Sequence, residues 1–315
     1  MGAGFASGQE IYQFFTRFGR IGALGIVLAG LFFAVLGYLA LERGRLRSAS
    51  GYGPLLKSVY PGWVVRAAEG TTTVFLFIGL GVVSSGGGAD VAQLTGLSPI
   101  VGAVVTTIAI VAVATSGTRG IIRFNTVLIP YLVVLVLLIA ILNWSAPLAV
   151  RHGVSAKGWL LAAILYFSYN IFTGVMVLLG VGRTLTSSKQ SFWGALVGAM
   201  LLSLLGYAEH HLLLRLPIVG PLPLVDAATH THLYWGFLFG IGLWVALFTT
   251  GIAEAYVLSE QYGKRILWGV GATFLLGFIR FDNLVRFLYP VMGMVAIVLW
   301  IPLVYKGSGR GFPGG

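Results

Sequence analysis

Cysteine is absent from this chain of 315 residues. Disulfides, thiolate catalysis and cysteine-held zinc are thereby excluded, and the redox compartment is left open. Charge is scarce as well: Asp, Glu, Lys and Arg make up 9% of the residues, where a soluble domain carries about 25%. Such a chain cannot cover itself with a water-facing surface. Acidic residues are the scarcest, nine against 20 basic ones, giving a formal net charge of +11. That excess does not point to nucleic acid. The basic residues stand in short clusters between apolar runs, as helix-flanking anchors do.

What is abundant is apolar. Hydrophobic residues make up 57% of the chain and the mean hydropathy is +0.93. Apolar runs long enough to cross a bilayer recur along the whole length, so the fold class is an all-α integral membrane protein. Full-length spans are predicted over 21–42, 64–85, 98–116, 120–143, 158–181, 190–213, 234–258, 265–280 and 285–305. The opening stretch, 3–18, is too short to be a tenth. At 1.5 Å per residue it reaches about 24 Å, below the roughly 30 Å hydrocarbon core. Gln9, Gln13, Thr16 and Arg20 fall on one helical face there, which predicts a helix packed inside a bundle. It reads as the second half of a spanning helix.

Charge orients the ten segments. If the first runs outward and the rest alternate, thirteen of the 20 Lys and Arg residues fall inside and seven outside. This obeys the positive-inside tendency and puts the C-terminus in the cytoplasm of a multi-pass cell-membrane protein. The stretch 143–158 divides the segments into five and five, 1–143 and 158–306, within one transmembrane domain. An odd number of spans per repeat inverts the second repeat. Inverted repeats place binding sites at the bilayer midplane, where the first helix of each half is often interrupted. The first half opens on "GAGFASGQE" and the second contains "YFSYNIFTG" at 166–174, so a break is expected in each.

"GAGFASGQEIYQFF", "SYN" at 168–170 and the ten-segment plan resemble the YkvI-type bacterial membrane proteins. Through them the chain resembles the leucine-transporter-fold superfamily, which includes amino-acid and sodium-solute symporters. The resemblance implies a ten-segment fold of two inverted five-helix repeats, with the first helix present only as its second half. It also implies that the native chain extends upstream by about twenty residues, Met1 standing where many relatives have valine, whose codon GTG can also be read as a start. It further implies ion-coupled transport, with sodium as the coupling ion, of a small amino acid or amine by alternating access. The alternative is a ligand sensor on the same fold that binds without transport.

Between two broken helices, unwound carbonyls receive cations and half-helix N-termini receive carboxylates. The substrate candidates are Gly2, Ala3, Gly4, Ser7 and Glu10 in the opening segment, and Ser168, Tyr169, Asn170 and Thr173 in the sixth. Their small size or polarity can equally serve helix packing. In sodium-coupled members of the superfamily, successive hydroxyls on the eighth helix hold the ion with a carbonyl one turn earlier and carbonyls of the first helix. Thr249 and Thr250 match the hydroxyls, and Ala246 and Met1 match carbonyl positions. Threonines in membrane helices also bond back to their own helix. Residues 124–142 carry no charge, so no lysine stands in for the ion.

Other patterns carry less. Glu10 and Glu254 are ionisable groups at membrane depth and functional candidates by default; Glu10 can instead pair with Arg17, and Glu254 can reach water. His210, His211, His230 and His232 lie within 209–232, read as an external loop without the i,i+4 ligand pair a helical metal site needs. "SSGGGAD" at 84–90 reads as a helix end in an external loop, with Asp90 in water. "GAGFASG" and "GLGVVSSGGG" echo nucleotide-binding glycine runs but lack a strand–turn–helix setting. The basic run 42–57 reads as an inside loop anchored near lipid phosphates. Neither an acid–base nor a metal constellation marks an enzyme. The partners expected are the lipid bilayer and a small-molecule substrate, without a further cofactor.

Overall fold

The structure, a computed structural model, describes residues 3–46, 61–114, 119–149, 155–216 and 220–307. Met1, Gly2 and most of the basic run 42–57 lie outside them. The described residues form helices and turns without strands. In chain order the α-helices are α1 Ala3–Ala6, α2 Gln9–Phe14, α3 Gly22–Leu46, α4 Gly62–Thr95, α5 Pro99–Ala114 and α6 Arg119–Leu142. Then come α7 Trp159–Gly182, α8 Ser188–Leu213, α9 Pro223–Thr231, α10 Leu233–Tyr262, α11 Leu267–Ala272 and α12 Phe281–Gly307. Tight 3₁₀ turns at Thr16–Ile21, Lys264–Ile266 and Thr273–Phe278 interrupt the series.

Among the described residues, five helical stretches are long and apolar enough to cross a membrane: Thr16–Leu46, Gly62–Thr95, Asn125–Leu142, Ser188–Leu213 and Leu233–Tyr262. Pro99–Ala114 and Trp159–Ile171 are apolar but shorter. Each of the nine expected spans overlaps helix among the described residues. The stretch 265–280 is a 3₁₀–α–3₁₀ series rather than one helix.

The chain divides into two compact units, each drawn from both halves of the sequence. One comprises Met1–Ala23, Thr73–Lys157 and Leu205–Leu288; the other comprises Leu24–Thr72, Gly158–Leu204 and Tyr289–Gly315.

In the first unit, α4 and α10 run antiparallel along a glycine-rich seam. A methyl group built on Gly79 would meet the Glu254 carboxylate, one on Gly251 would meet Val83, and one on Gly86 would meet Leu247. Residue numbers rise on α4 as they fall on α10, so the two helices point opposite ways. Missing side chains let helices approach closely where apolar lipid supplies no hydrophobic drive between them. α5 runs antiparallel to α4, with Ser84 bonded to Thr107 at 2.8 Å and Gly102 against Val91. It runs parallel to α10, where Trp244 Nε1 donates to Thr106 Oγ1 at 3.0 Å and Ile110 covers Gly251.

In the second unit, α3 runs parallel to α7. Phe33 meets Tyr166 edge-on, Ala40 packs with Val175 and Leu179, and Gly44 and Gly182 bring the two backbones together. α8 runs antiparallel to α3, with Gly30 against Ser203, Gly37 against Ala195 and Tyr38 against Ser188. Leu24, Val27, Leu31 and Val35 form an exposed stripe along α3. Apolar side chains left uncovered at helical spacing suit a lipid-facing surface.

Three sequence expectations are corrected. "SSGGGAD" is no loop: 84–90 lies inside α4, and Asp90 is 0% exposed rather than in water. The reading of 209–232 as one external loop fails, because Glu209, His210 and His211 are buried on α8 and α9 is an added helix. Pro223 starts α9 at a position where a missing N–H costs nothing. Nor does a break interrupt 166–174, since α7 is helical throughout. Ser168 Oγ donates to the Ile164 carbonyl at 2.6 Å and Asn170 Nδ2 to the Tyr166 carbonyl at 3.0 Å. The polar groups are thus satisfied on their own helix, and nothing forces it to unwind.

Candidate functional site

The opening segment is broken, and the break lies at Gly8. Its φ of 77° is left-handed, a conformation glycine adopts without penalty. Ser7 organises the backbone around it. Ser7 Oγ donates to the Gly4 carbonyl at 2.8 Å and accepts from the Gln9 amide at 3.2 Å. The Ser7 carbonyl, released from the helix, accepts from the Leu224 amide at 3.0 Å. So α9, the helix that the sequence did not reveal, seals the break.

Ser7 is 0% exposed and Glu10 is 2% exposed; Gln9, Gln13 and Thr16 are buried too, whereas Arg20 is exposed. The Glu10 side chain folds back over Gly4, where any β-carbon would collide with it. Glu10 lies near enough to Glu209 of α8 for the two charges to oppose each other. Arg17 is exposed, its guanidinium 4.7 Å from the Phe18 ring centre.

The remaining substrate candidates divide by unit. Gly4, Ser7 and Glu10 belong to the first; Ser168, Tyr169, Asn170 and Thr173 belong to the second. Tyr169 is buried with its ring 4.9 Å from that of Tyr289. The Ala3 and Thr173 side chains, like Met1 and Gly2, lie outside the described residues.

On α10, Thr249 Oγ1 and Thr250 Oγ1 both donate to the Ala246 carbonyl, at 3.2 and 2.8 Å. Three oxygens therefore stand together on one turn, and α1 packs against this same helix. Each hydroxyl sends its proton to the carbonyl and keeps lone pairs for a hard cation. The Ala246 carbonyl already accepts both hydroxyls, so it can join a cation only if they turn away. The two hydroxyls are of the chemical type a hard cation takes but are fewer than it gathers, and the carbonyl is engaged in this arrangement.

Three of the histidines serve the fold. His210 Nδ1 bonds with Thr16 Oγ1 at 3.0 Å, His211 stacks on Trp144, and His232 Nδ1 caps α10 by accepting from the Tyr234 amide. Among the described residues, no three His, Asp or Glu side chains gather as metal ligands.

A cavity of about 580 Å³ also lies in the first unit, lined in part by Ser85, Gln93, Ser98, Asp226, Arg280 and Phe281. None of the expected site residues lines it. Its polar groups are engaged: Gln93 donates to Asp226, Ser85 to the Ile279 carbonyl, and Arg280 pairs with Asp282. The buried carboxyl groups that sequence reasoning missed are Asp90 and Glu209. A signal for Asp90 was present in "GGGAD", where glycines at helical spacing can mark close helix packing as well as a loop.

The chain is similar to the uncharacterized membrane protein YkvI of Bacillus subtilis (strain 168). The two are 28% identical over 332 residues, which cover 98% of this chain and 93% of that protein. It is similar also to the uncharacterized protein YyaD of the same strain, 26% identical over 325 residues, 96% of this chain and 92% of the relative. These likenesses run nearly end to end and support a common family of uncharacterised membrane proteins. No family model matches the chain.

Proposed function

We propose that the protein is a secondary transporter of a small amino acid or amine, driven by sodium and working by alternating access. The observation that carries this reading is the first segment, broken at Gly8 amid buried Ser7, Gln9 and Glu10. A membrane helix without a ligand to serve has little reason to interrupt its backbone and bury polar groups beside the gap. α1 rests on α10, whose Thr249 and Thr250 offer hydroxyl oxygens to the ion.

The ten-segment path has support of its own. Strict alternation requires α3 with α7, and α5 with α10, to run parallel, and α3 with α8, α4 with α5, and α4 with α10 to run antiparallel. All five pairs do. Two units drawn from both sequence halves also suit a mechanism in which one body rocks against another.

The unbroken α7 favours a second reading, a sensor that binds a ligand without moving it. Reconstitution into proteoliposomes separates the two. Uptake of a labelled amino acid or amine driven by an inward sodium gradient marks a transporter; saturable binding without accumulation marks a sensor. Sodium, but not potassium, raises the melting temperature if the ion site exists, since a ligand of the folded state stabilises it. Replacing Thr249→Ala together with Thr250→Ala removes that rise. Identical melting curves in the two salts would reject the ion site.

A further inference from the structure

Asp90 is a deeply buried carboxyl group of the first unit. It is 0% exposed, on the α4 face that meets α10. A methyl group on Gly240 would lie 3.1 Å from Asp90 Oδ1, with Leu94 beside it. Neither carboxyl oxygen has a hydrogen-bond partner. The Trp244 backbone amide faces the group without closing a bond.

The charges around it are countable. α4 from Thr73 onward, α5 and α10 contain no Lys, Arg or His. α10 contributes Glu254, at the other end of the seam opposite Gly79, eleven residues or about 16 Å along α4. α6 contributes the Tyr131 hydroxyl, which donates to the Leu238 carbonyl. α9 contributes Asp226, already accepting from Gln93 and the Gly220 amide, and the exposed His230. No cation faces Asp90 from these helices, and Arg280, beside the Ile279 carbonyl to which Ser85 of α4 donates, is paired with Asp282.

An ionised carboxylate buried without a partner is so costly that such a group neutralises instead. Two ligands could neutralise it, a metal cation or a proton. A hard cation gathers several oxygens, yet the neighbours here are Gly240, Leu94 and the Trp244 backbone. The nearby hydroxyl of Thr106 is turned to Trp244 Nε1 and Gly87. A proton needs no further ligand.

We propose that Asp90 is an intramembrane proton-binding site, holding a proton while α4 and α10 are closed over it. The inference stands apart from the transport reading, since it concerns one carboxyl group and its proton. The chain has three aspartates, Asp90, Asp226 and Asp282. Asp282 is paired with Arg280, and Asp226 accepts two hydrogen bonds.

The test is infrared spectroscopy of the full chain carrying carboxyl-¹³C aspartate, in detergent at neutral pH. The expected result is the carbonyl stretch of one protonated aspartic acid, lost in Asp90→Asn and kept in Glu254→Gln. Three ionised aspartates in the wild-type protein would overturn the proposal, and that reading requires no variant to fold. The melting temperature adds a second readout. A proton held by the folded protein and released by the unfolded chain makes stability fall as pH rises, by up to about tenfold in the folding equilibrium per pH unit. Wild type shows this slope from about pH 5 to neutral, and Asp90→Asn shows a shallower one, the buried Glu209 and Glu254 carboxyls still contributing; equal slopes would also overturn the proposal.

Discussion

Gly8 determines how the opening segment turns. Its left-handed backbone and the Leu224 side chain, 2.6 Å from where a β-carbon would stand, both exclude a larger residue. Gly8→Ala should cost about 1–2 kcal/mol in backbone strain alone, and more if Leu224 cannot move. A lowered melting temperature of the purified variant is the measurement; an unchanged one would mean that the break has another cause. Gly4→Ala, which forces Glu10 from its place, should also destabilise. At this scale part of the site was legible: Ser7, Glu10 and the glycines stood out because polarity is rare in so apolar a chain. Ser168 and Asn170 stood out for the same reason, but the break expected around them is absent from α7. A side chain can satisfy itself on its own helix, and sequence alone does not tell that from a ligand site.

Helices in this protein meet where side chains are missing. The α4–α10 seam needs Gly86, because a β-carbon there would sit 3.0 Å from Phe281 and 3.1 Å from Leu247. Gly86→Val should therefore destabilise by about 1–3 kcal/mol through overpacking. Gly70 and Gly198 have nothing within 4 Å. Gly70→Ala or Gly198→Ala should be neutral or stabilise by up to about 1 kcal/mol, since alanine favours helix over glycine. Thermal unfolding of the three variants side by side tests the contrast; if all three lose stability alike, the seam is not what sets the cost. The long apolar helices were legible because length and composition leave few alternatives. α9 was not, because nine residues following prolines look like a loop until Leu224 is seen to seal Gly8. "SSGGG" was misread because glycine breaks an isolated helix yet lets packed helices approach.

At the scale of the whole molecule, the alternation of segments makes a prediction that the missing cysteines help to test. Any introduced thiol is unique in the chain. Lys264 and Arg280 are both exposed and flank the short-helix series between α10 and α12. Lys264→Cys should react with an impermeant thiol reagent only after the membrane is opened, and Arg280→Cys should react in intact cells. Labelling of both from one side would show that 265–280 does not cross. Charge bias sets an expectation for the path that this labelling tests, whereas the grouping of segments into two units was not legible, since it depends on contacts between residues far apart in the chain.

That grouping governs the order in which the protein can be finished during synthesis. The second unit takes its last piece from Tyr289 onward, and its first piece begins at Leu24. Nearly the whole chain must therefore leave the ribosome before this unit can close, while its early helices wait in the bilayer with faces still uncovered. The first unit has all its pieces once Leu288 has been made. A stop codon just after that residue would spare one unit and leave the other permanently short of a wall.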